Sequence, residues 1–180
     1  MPEPLPSLRT ARLELRPFHL ADAPVVQVLL SDREVARQTL TIPHPYPDGA
    51  ADEFIRKHAA WIAEGKQLIW AITRHDAIVG AMGLHIVAAH SRAEVGYWIA
   101  RAAWGQGIAT EALLAVIAHG FDVVGLHRID AQHYVENPAS GAVMRKAGMT
   151  HEGRLRGVVF RDGVPRDNES YCILRTDPRL

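Results

Sequence analysis

The sequence predicts an α/β (α+β) fold in which one mixed sheet carries helices packed against it. Short runs that alternate apolar and polar residues, such as 93–99, have the period of half-buried strands. Residues 109–124 instead repeat apolar side chains at i, i+3, i+4 and i+7, which is typical of a helix with one buried face. Because strands and helices alternate along the chain, we expect them to share one layered core.

The composition is that of a globular protein with no overall charge. The 180 residues are 48% apolar and 22% charged, which suits a single domain over residues 1–180. Twenty Lys and Arg balance twenty Asp and Glu, which argues against nucleic acid or an anionic membrane as a main partner. Residues 1–6 lack the features of a signal peptide, and no window approaches the roughly 18 apolar residues of a membrane span. We therefore expect a cytoplasmic protein.

Cysteine and histidine usage indicates no metal site. Cys172 is the single cysteine, which excludes an intramolecular disulfide and a multi-cysteine zinc site. It lies in an alternating run, where a half-buried strand thiol is expected. None of the ten histidines forms an obvious ligand pair on a predicted helix, so no metal is expected.

The first third of the chain predicts one strand and two helices. The alternating strand 13–18 ends near a proline, and the helix 22–30 follows it. Three prolines within 41–47 predict a loop. Asp48 is predicted to be the N-cap of the next helix, 49–64, which has one apolar face.

The rest of the chain predicts strands with two helices between them. The strands are predicted at 68–73, 78–87, 93–99, 128–135, 152–160 and 169–174. The turn 75–76 joins the first two of these as a hairpin. The helix 109–124 follows the third, and Asn137-Pro138 begins a last helix that Gly148 ends, with Asn as N-cap and Pro at the first helical position. The total is about seven strands and about four helices.

The passage from strand 93–99 into helix 109–124 has the features of a phosphate-binding turn. A helix N-terminus offers unpaired N–H groups and the positive end of the macrodipole. Gly105 and Gly107 precede the helix and would let a phosphate approach those groups closely. The alternative is a plain strand-to-helix turn, since neither a P-loop nor a complete Gly-x-Gly-x-x-Gly motif is present. Glu111, in the first helical turn, is unfavourable beside a phosphate unless it points outward.

Residues 94–99 followed by 104–113 resemble motif A of the GNAT N-acetyltransferases. That motif, Gln/Arg-x-x-Gly-x-Gly/Ala, falls on Trp104, Gly107 and Ala109. Tryptophan departs from the general pattern, but Trp-Gly-x-Gly is similar to the subgroup of ribosomal-protein N-terminal acetyltransferases, the RimJ/RimL type.

Other segments extend the resemblance. Residues 137–149 resemble the family's Asn-x-x-Ser helix, with Met149 in place of the usual Phe. Residues 10–17 match the opening strand of the subgroup, and 152–153 and 167–174 match its close. The resemblance therefore covers nearly the whole chain.

The resemblance implies the GNAT fold, with a mostly antiparallel sheet and a V-shaped opening between strands 93–99 and 128–135. It implies an enzyme that moves the acetyl group of its cosubstrate acetyl-CoA to a primary amine, and the subgroup indicates a protein N-terminal α-amine. Small amines and antibiotics are alternative acceptors, and a non-catalytic acyl-CoA-binding sensor is the competing function. The expected partners are acetyl-CoA and the amine, with neither membrane nor direct nucleic-acid binding, and a homodimer is left open.

The resemblance also assigns contacts with coenzyme A. Backbone groups of residues 97–99 would hydrogen-bond the pantetheine arm, and N–H groups of residues 106–110 would hold the pyrophosphate. The implied binding residues are Tyr97, Trp98, Ile99, Trp104, Gly105, Gln106, Gly107, Ile108, Ala109, Thr110, Asn137 and Ser140.

Acylation of an amine requires a neutral nucleophile and a donor for the leaving thiolate. By resemblance, Asn137 and Ser140 lie near the sulfur. Ser140 is the implied donor, because Val143 and Met144 occupy the region where many relatives carry a tyrosine. The alternative is that Asn137 is only an N-cap and Ser140 only a polar residue of the first turn. Glu94 is the candidate base, directly or through water, and a solvated strand end is its alternative.

Further candidates surround this predicted centre. The histidines whose ordinary pKa suits a base are His75, His85 and His133, although a lone histidine on a strand is more often structural. The aromatic residues that either wall a pocket or pack in the core are Trp61, Trp70, Tyr97 and Trp98. Residues 41–47 and 161–167 are expected to flank the acceptor.

Overall fold

The computed structural model describes residues 5–179. Within that range the eight strands are β1 (Leu8–Arg9), β2 (Glu14–Pro17), β3 (Gln67–Arg74), β4 (Ala77–Val87), β5 (Arg92–Ile99), β6 (Arg128–Tyr134), β7 (Thr150–Arg161) and β8 (Val164–Leu174). The five α-helices are α1 (Ala23–Leu30), α2 (Arg33–Arg37), α3 (Ala50–Ala63), α4 (Ile108–Asp122) and α5 (Pro138–Lys146).

All eight strands form one sheet in the order β1-β2-β3-β4-β5-β6-β8-β7. Neighbouring strands are antiparallel except β5 and β6, which confirms the predicted mixed, mostly antiparallel sheet. Among residues 5–179 the sheet has one strand more than predicted, and there is one α-helix more than predicted. The additions are the two-residue β1 and the five-residue α2, which are too short to show a period.

The parallel strands β5 and β6 diverge along their length. Their pairing joins residues 92–94 to residues 128–130, yet β5 continues to Ile99 and β6 to Tyr134. Within residues 5–179, no ladder joins the two strands beyond that point, and β5 pairs with β4 on its other side. The V-shaped opening implied by the resemblance lies here, and it leaves one edge of β5 accessible to a ligand.

Helices cover both faces of the sheet. The larger apolar cluster joins α4 and α5 to one face, with Leu113 and Phe121 fully buried against it. The smaller cluster joins α1, α2 and α3 to the other face and includes Trp98 of β5. Val95 and Ile99 belong to the larger cluster, and consecutive strand residues point to opposite faces. β5 therefore runs between the two cores.

The turns follow their predicted chemistry, with one correction at α3. His75 and Asp76 both have positive φ, as a tight two-residue hairpin requires. The prediction that Asp48 caps α3 is wrong. The N-cap is Gly49, whose left-handed backbone (φ 77°) only glycine adopts without strain, and no side chain caps this helix.

The final hairpin is longer than predicted. β8 begins at Val164 rather than near Glu169, because Pro165 is accepted on the distal part of this two-stranded arm, opposite Phe160. Cys172 lies on β8 with its side chain buried, and it donates a hydrogen bond to Glu152 (Sγ to Oε1, 3.2 Å). Burial raises the pKa of this thiol to about 11, so it stays protonated at neutral pH.

None of the helices in the described part of the chain combines the length and the apolarity needed to cross a membrane.

Candidate active site

A cavity of about 340 Å³ occupies the opening between the diverging strands. Its walls come from the end of β5, the loop before α4, the first turn of α4, one side of α5 along its length, and α2 with the segment that follows it. Every residue predicted to bind coenzyme A lines this cavity except Gln106. The tertiary fold thus brings the strand, the glycine loop and the Asn137–Ser140 turn to one place.

The glycine loop ends in an open helix N-terminus. Gly105 and Gly107 have φ of 73° and 76°, and Gly107 is the N-cap of α4 with no side chain to occupy the cap. The first intrahelical bond that this cap accepts comes from Glu111 N–H. The N–H groups of the preceding residues, 108–110, therefore lack i−4 carbonyl partners and can donate to an anion.

Glu111 is turned away from this anion-binding end. Its carboxylate accepts hydrogen bonds from the Thr10 hydroxyl (2.6 Å), from Arg12 N (2.9 Å) and from Arg12 Nε (2.7 Å). Burial alone would raise the pKa of Glu111, but the hydrogen bonds from Thr10 and Arg12 outweigh it and hold the pKa below its ordinary value. The negative charge of Glu111 is thereby balanced by the positive charge of Arg12.

Two arginines hydrogen-bond Gln106 at the edge of the loop, and Arg74 adds positive charge there, while the charge of Arg12 is balanced by Glu111. Arg12 donates from Nη1 to the Gln106 carbonyl (3.1 Å), and Arg74 donates from Nη1 to Gln106 Oε1 (2.7 Å). Neither arginine was predicted as a site residue, because they lie 94 and 32 residues from Gln106 and no local motif connects them.

Trp104 braces the passage from β5 to the loop. Its indole Nε1 donates to the Ile99 carbonyl at 2.7 Å, while 40% of the residue remains exposed at the cavity wall. The tryptophan that departs from the general motif therefore holds the turn in place.

Asn137 and Ser140 form a reciprocal pair at the start of α5. The backbone N–H of Ser140 donates to Asn137 Oδ1 (3.3 Å). The side-chain amide nitrogen of Asn137, Nδ2, donates in turn to Ser140 Oγ (3.0 Å). Asn137 is thus an N-cap that also orients the serine. Since Ser140 Oγ accepts this bond, its own proton remains available to a third group.

The Tyr97 side chain reaches the Asn137–Ser140 turn, and the three residues together form the Ser140 corner of the cavity. The Tyr97 hydroxyl is buried and has no hydrogen-bond partner within the described residues. Burial raises the pKa of Tyr97, and the neighbouring Ser140 opposes that rise without cancelling it, so the hydroxyl stays protonated at neutral pH. The backbone groups and the aromatic ring of Tyr97 were predicted to take part in the site, but its hydroxyl was not. The available signal was the period of two, which places Tyr97 on the face of β5 that α4 and α5 cover.

None of the predicted bases lines this cavity: Glu94, His75, His85 and His133 all lie outside it. Glu94 is exposed at the last parallel rung and lies opposite His85 on β4. His75 lies in the β3–β4 turn. His133 is buried, with Nδ1 2.7 Å from the Tyr134 carbonyl. Glu94 acting through water stays a prediction.

The predicted aromatic wall divides between the cavity and the core. Tyr97 and Trp98 line the cavity. Trp70 is fully buried and donates to the Pro6 carbonyl, and Trp61 packs against Phe54 and His58.

A second cavity of about 370 Å³ adjoins the first one. Gln38 and Asn137 line both cavities. The remaining walls come from α2, from the end of β6 and from the β7–β8 hairpin, which contributes Arg161, Asp162 and Arg166. That residues 161–167 flank the acceptor stays a prediction. The prolines at 43–47 are not in its wall, although His44 is.

Comparisons with known proteins identify the family. A family model described as "Acetyltransferase (GNAT) domain" matches residues 12–150. The uncharacterized N-acetyltransferase YoaA of Bacillus subtilis (strain 168) is 34% identical over 173 residues, which cover 94% of this chain and 97% of that protein. The ribosomal-protein-serine acetyltransferase of Escherichia coli (strain K12) is 26% identical over 83% of this chain and 84% of its own length.

A solved structure agrees with these matches. The Mycobacterium smegmatis RimJ structure in complex with CoA-disulfide is 27% identical, covers 96% of this chain and 88% of its own, and superposes with a TM-score of 0.84. The diverging parallel strands and the glycine-loop helix end agree with the family match over residues 12–150. The chain therefore belongs to the GNAT acetyltransferase family and is an acyltransferase.

Proposed function

We propose that this protein transfers the acetyl group of acetyl-CoA to a primary amine, and that the acceptor is a protein N-terminal α-amine. One observation carries the proposal: a single cavity joins the open N-terminus of α4 to the Asn137–Ser140 turn along the free edge of β5. The similarity to a ribosomal-protein-serine acetyltransferase supports the choice of acceptor.

The residues present fit coenzyme A. The N–H groups at the start of α4 suit a pyrophosphate, and Arg74 adds positive charge beside it. The free edge of β5 beyond Glu94 offers backbone groups to the amides of pantetheine, as a neighbouring strand would. The unpaired Tyr97 hydroxyl is a buried donor without a partner in the described residues, a costly state that a bound ligand relieves.

The chemistry then needs two proton movements. As the amine nitrogen forms its bond to the thioester carbonyl carbon, it loses one proton, and Glu94 receives it through water. As the carbon–sulfur bond breaks, the departing thiolate gains a proton or a hydrogen bond. Ser140 supplies that donor, since its oxygen is already held by Asn137, and Tyr97 is a second donor at the same corner.

The experiment is a thiol-release assay with purified protein, acetyl-CoA and a panel of acceptors. The panel contains ribosomal-protein N-terminal peptides, spermidine, aminoglycosides and free amino acids. We expect release of free thiol together with N-terminally acetylated peptide, measured by mass spectrometry. Turnover restricted to small amines would replace the peptide acceptor, and coenzyme A binding without any turnover would favour the sensor.

A further inference from the structure

The second cavity meets the Ser140 corner at Asn137, on the side that coenzyme A does not occupy in the proposed function. Asn137 belongs to both cavities, so a molecule in the second one reaches the residue that orients Ser140. Its volume of about 370 Å³ is within the usual range for small-ligand sites. The chemistry of this cavity should therefore select the acceptor.

The walls of this cavity carry an excess of positive charge. Four arginines line it, namely Arg33, Arg37, Arg161 and Arg166, against the two acids Glu136 and Asp162. The side chain of Asp162 is 88% exposed, so solvent screens most of its charge. Because the whole chain has equal numbers of basic and acidic residues, this excess is local.

Arg161 adds positive charge to this wall, but both of its terminal nitrogens already donate to backbone carbonyls. It donates to the carbonyls of Ala36, Thr39, Leu40 and Ile42, and it thereby holds the segment after α2 against the β7–β8 hairpin. This contact fixes the segment that carries Gln38. The arginine therefore builds the wall, and its donors are not free for a ligand.

Arg33 and Arg37 are the donors left for a ligand. They lie four positions apart on α2, so both side chains project from one face of this five-residue helix. Arg33 makes no ion pair with any residue from 5 to 179. Arg37 is exposed and donates only from Nη1, to both carboxylate oxygens of the half-buried Glu34 at 3.3 Å, which leaves its other guanidinium nitrogens for a ligand. Like charges at this spacing destabilise a helix, and a bound carboxylate would reduce the repulsion between the two guanidinium groups.

Arg166 lies across the cavity from α2. It contacts Glu136 at 3.1 Å, and the Arg166 and Glu136 side chains are 41% and 61% exposed, so solvent weakens the pair and a ligand carboxylate can replace Glu136. Guanidinium groups bind carboxylates through two parallel hydrogen bonds. The cavity thus presents arginines on two sides of one space next to Asn137.

We propose that this cavity binds an acidic side chain of the acceptor, and that the preferred substrates are peptides with Asp or Glu within the first few residues after the amine. The inference rests on the proposed function, because it assigns the acceptor of that same reaction. It excludes polyamines as good substrates, since their positive charges would face Arg33 and Arg37.

The test compares matched peptides that differ only at the second and third residues, which are Asp, Asn or Lys. We expect kcat/KM for the Asp peptides to exceed that for the Asn peptides by about tenfold, with the Lys peptides poorer still. The preference should shrink as salt is raised, because the arginines are exposed. Free aspartate and spermidine form two further arms.

Variants of the protein show whether the preference for Asp peptides depends on the arginines of α2. The double variant Arg33→Gln/Arg37→Gln should lose most of the Asp-over-Asn preference while its affinity for coenzyme A stays the same. Arg9→Gln is the matched control, since Arg9 is exposed on β1 outside both cavities. It should keep the preference.

Each result decides between the two proposals. Acetylation of Asn or Lys peptides as fast as Asp peptides, or a preference for spermidine, would overturn the acidic-acceptor inference and leave the acetyltransferase proposal standing. Faster acetylation of free aspartate would assign the arginines to an amino acid and overturn the peptide assignment. Absence of turnover with every amine would overturn both.

Discussion

Gly107 is the residue at which backbone geometry and ligand chemistry meet. Its φ of 76° strains any residue other than glycine, and a Cβ there would lie 3.4 Å from Arg12 Nη2. We predict that Gly107→Glu abolishes measurable binding of coenzyme A, because it places a carboxylate and its bulk at the anion-binding end of α4. Isothermal titration calorimetry would measure the affinity.

The matched variant Gly107→Ala separates strain from charge. It imposes the same left-handed backbone, at a cost of about 1 kcal/mol, without adding a negative charge. We expect it to weaken binding far less than Gly107→Glu does. Equal affinities for the glutamate variant and the unaltered protein would contradict the phosphate-binding role of this turn.

Ser140 and Tyr97 are two hydroxyls at one corner, and we predict that they act on the same step. Ser140→Ala and Tyr97→Phe should each lower kcat by roughly 10- to 100-fold, with coenzyme A affinity nearly unchanged, because each removes a donor to the leaving thiolate. Steady-state kinetics and calorimetry on the same preparations would separate the two quantities.

The double variant tests whether the hydroxyls share a role. If both serve one proton, the combined loss should be smaller than the product of the two single losses. Unchanged kcat in both single variants would assign Asn137 and Ser140 to helix capping alone.

At the scale of elements, the N-terminal segment is fastened to the first turn of α4. Glu111 is the anchor, since Thr10 and Arg12 donate to it across about 100 residues of sequence. We predict that Glu111→Ala lowers the free energy of unfolding by about 1–2 kcal/mol, because it leaves these donors without their charged acceptor. Urea denaturation would measure the change.

The control is Glu53→Ala, an acidic residue in the first turn of α3 whose side chain is 76% exposed and 4.0 Å from Lys57. It should change the unfolding free energy by less than about 0.5 kcal/mol. A loss as large as that of Glu111→Ala would indicate that helix-dipole effects, rather than the cross-chain anchor, explain the result.

At the scale of the whole molecule, burial of a histidine sets part of the pH dependence of stability. His58 packs among Phe18, Phe54 and Trp61, and neither ring nitrogen has a hydrogen-bond partner among the described residues. Burial lowers the pKa of His58 to about 4 from 6.5. Between these values the unfolded chain binds the proton more readily than the folded protein does.

We therefore predict full stabilisation above pH 6.5 and a progressive loss as the pH falls toward 4. The contribution of His58 to this loss is about 3 kcal/mol. His58→Phe, which keeps the aromatic contacts and cannot titrate, should flatten the curve over that range. Substitution of the exposed His90 by Gln is the control. Parallel curves for His58→Phe and the unaltered protein would contradict the prediction.

Much of the fold is predictable from patterns that span only a few residues. The stripe of α4, the Asn137-Pro138 start of α5 and the 75–76 turn each depend on local periodicity or local backbone chemistry, and all three agree with the structure. The predicted N-cap of α3 was wrong because both Asp48 and Gly49 are favourable at a helix start. The left-handed backbone at Gly49 makes that glycine the N-cap.

Local sequence patterns therefore suffice for the order of the longer elements, the glycine loop at the start of α4 and the family resemblance. Which distant side chains meet depends on the tertiary structure. Arg12 reaches Gln106, Arg161 holds the segment after α2, and the Tyr97 hydroxyl faces the Ser140 corner. These contacts depend on strand order and on the point where β5 and β6 diverge, and local periodicity carries no information about either.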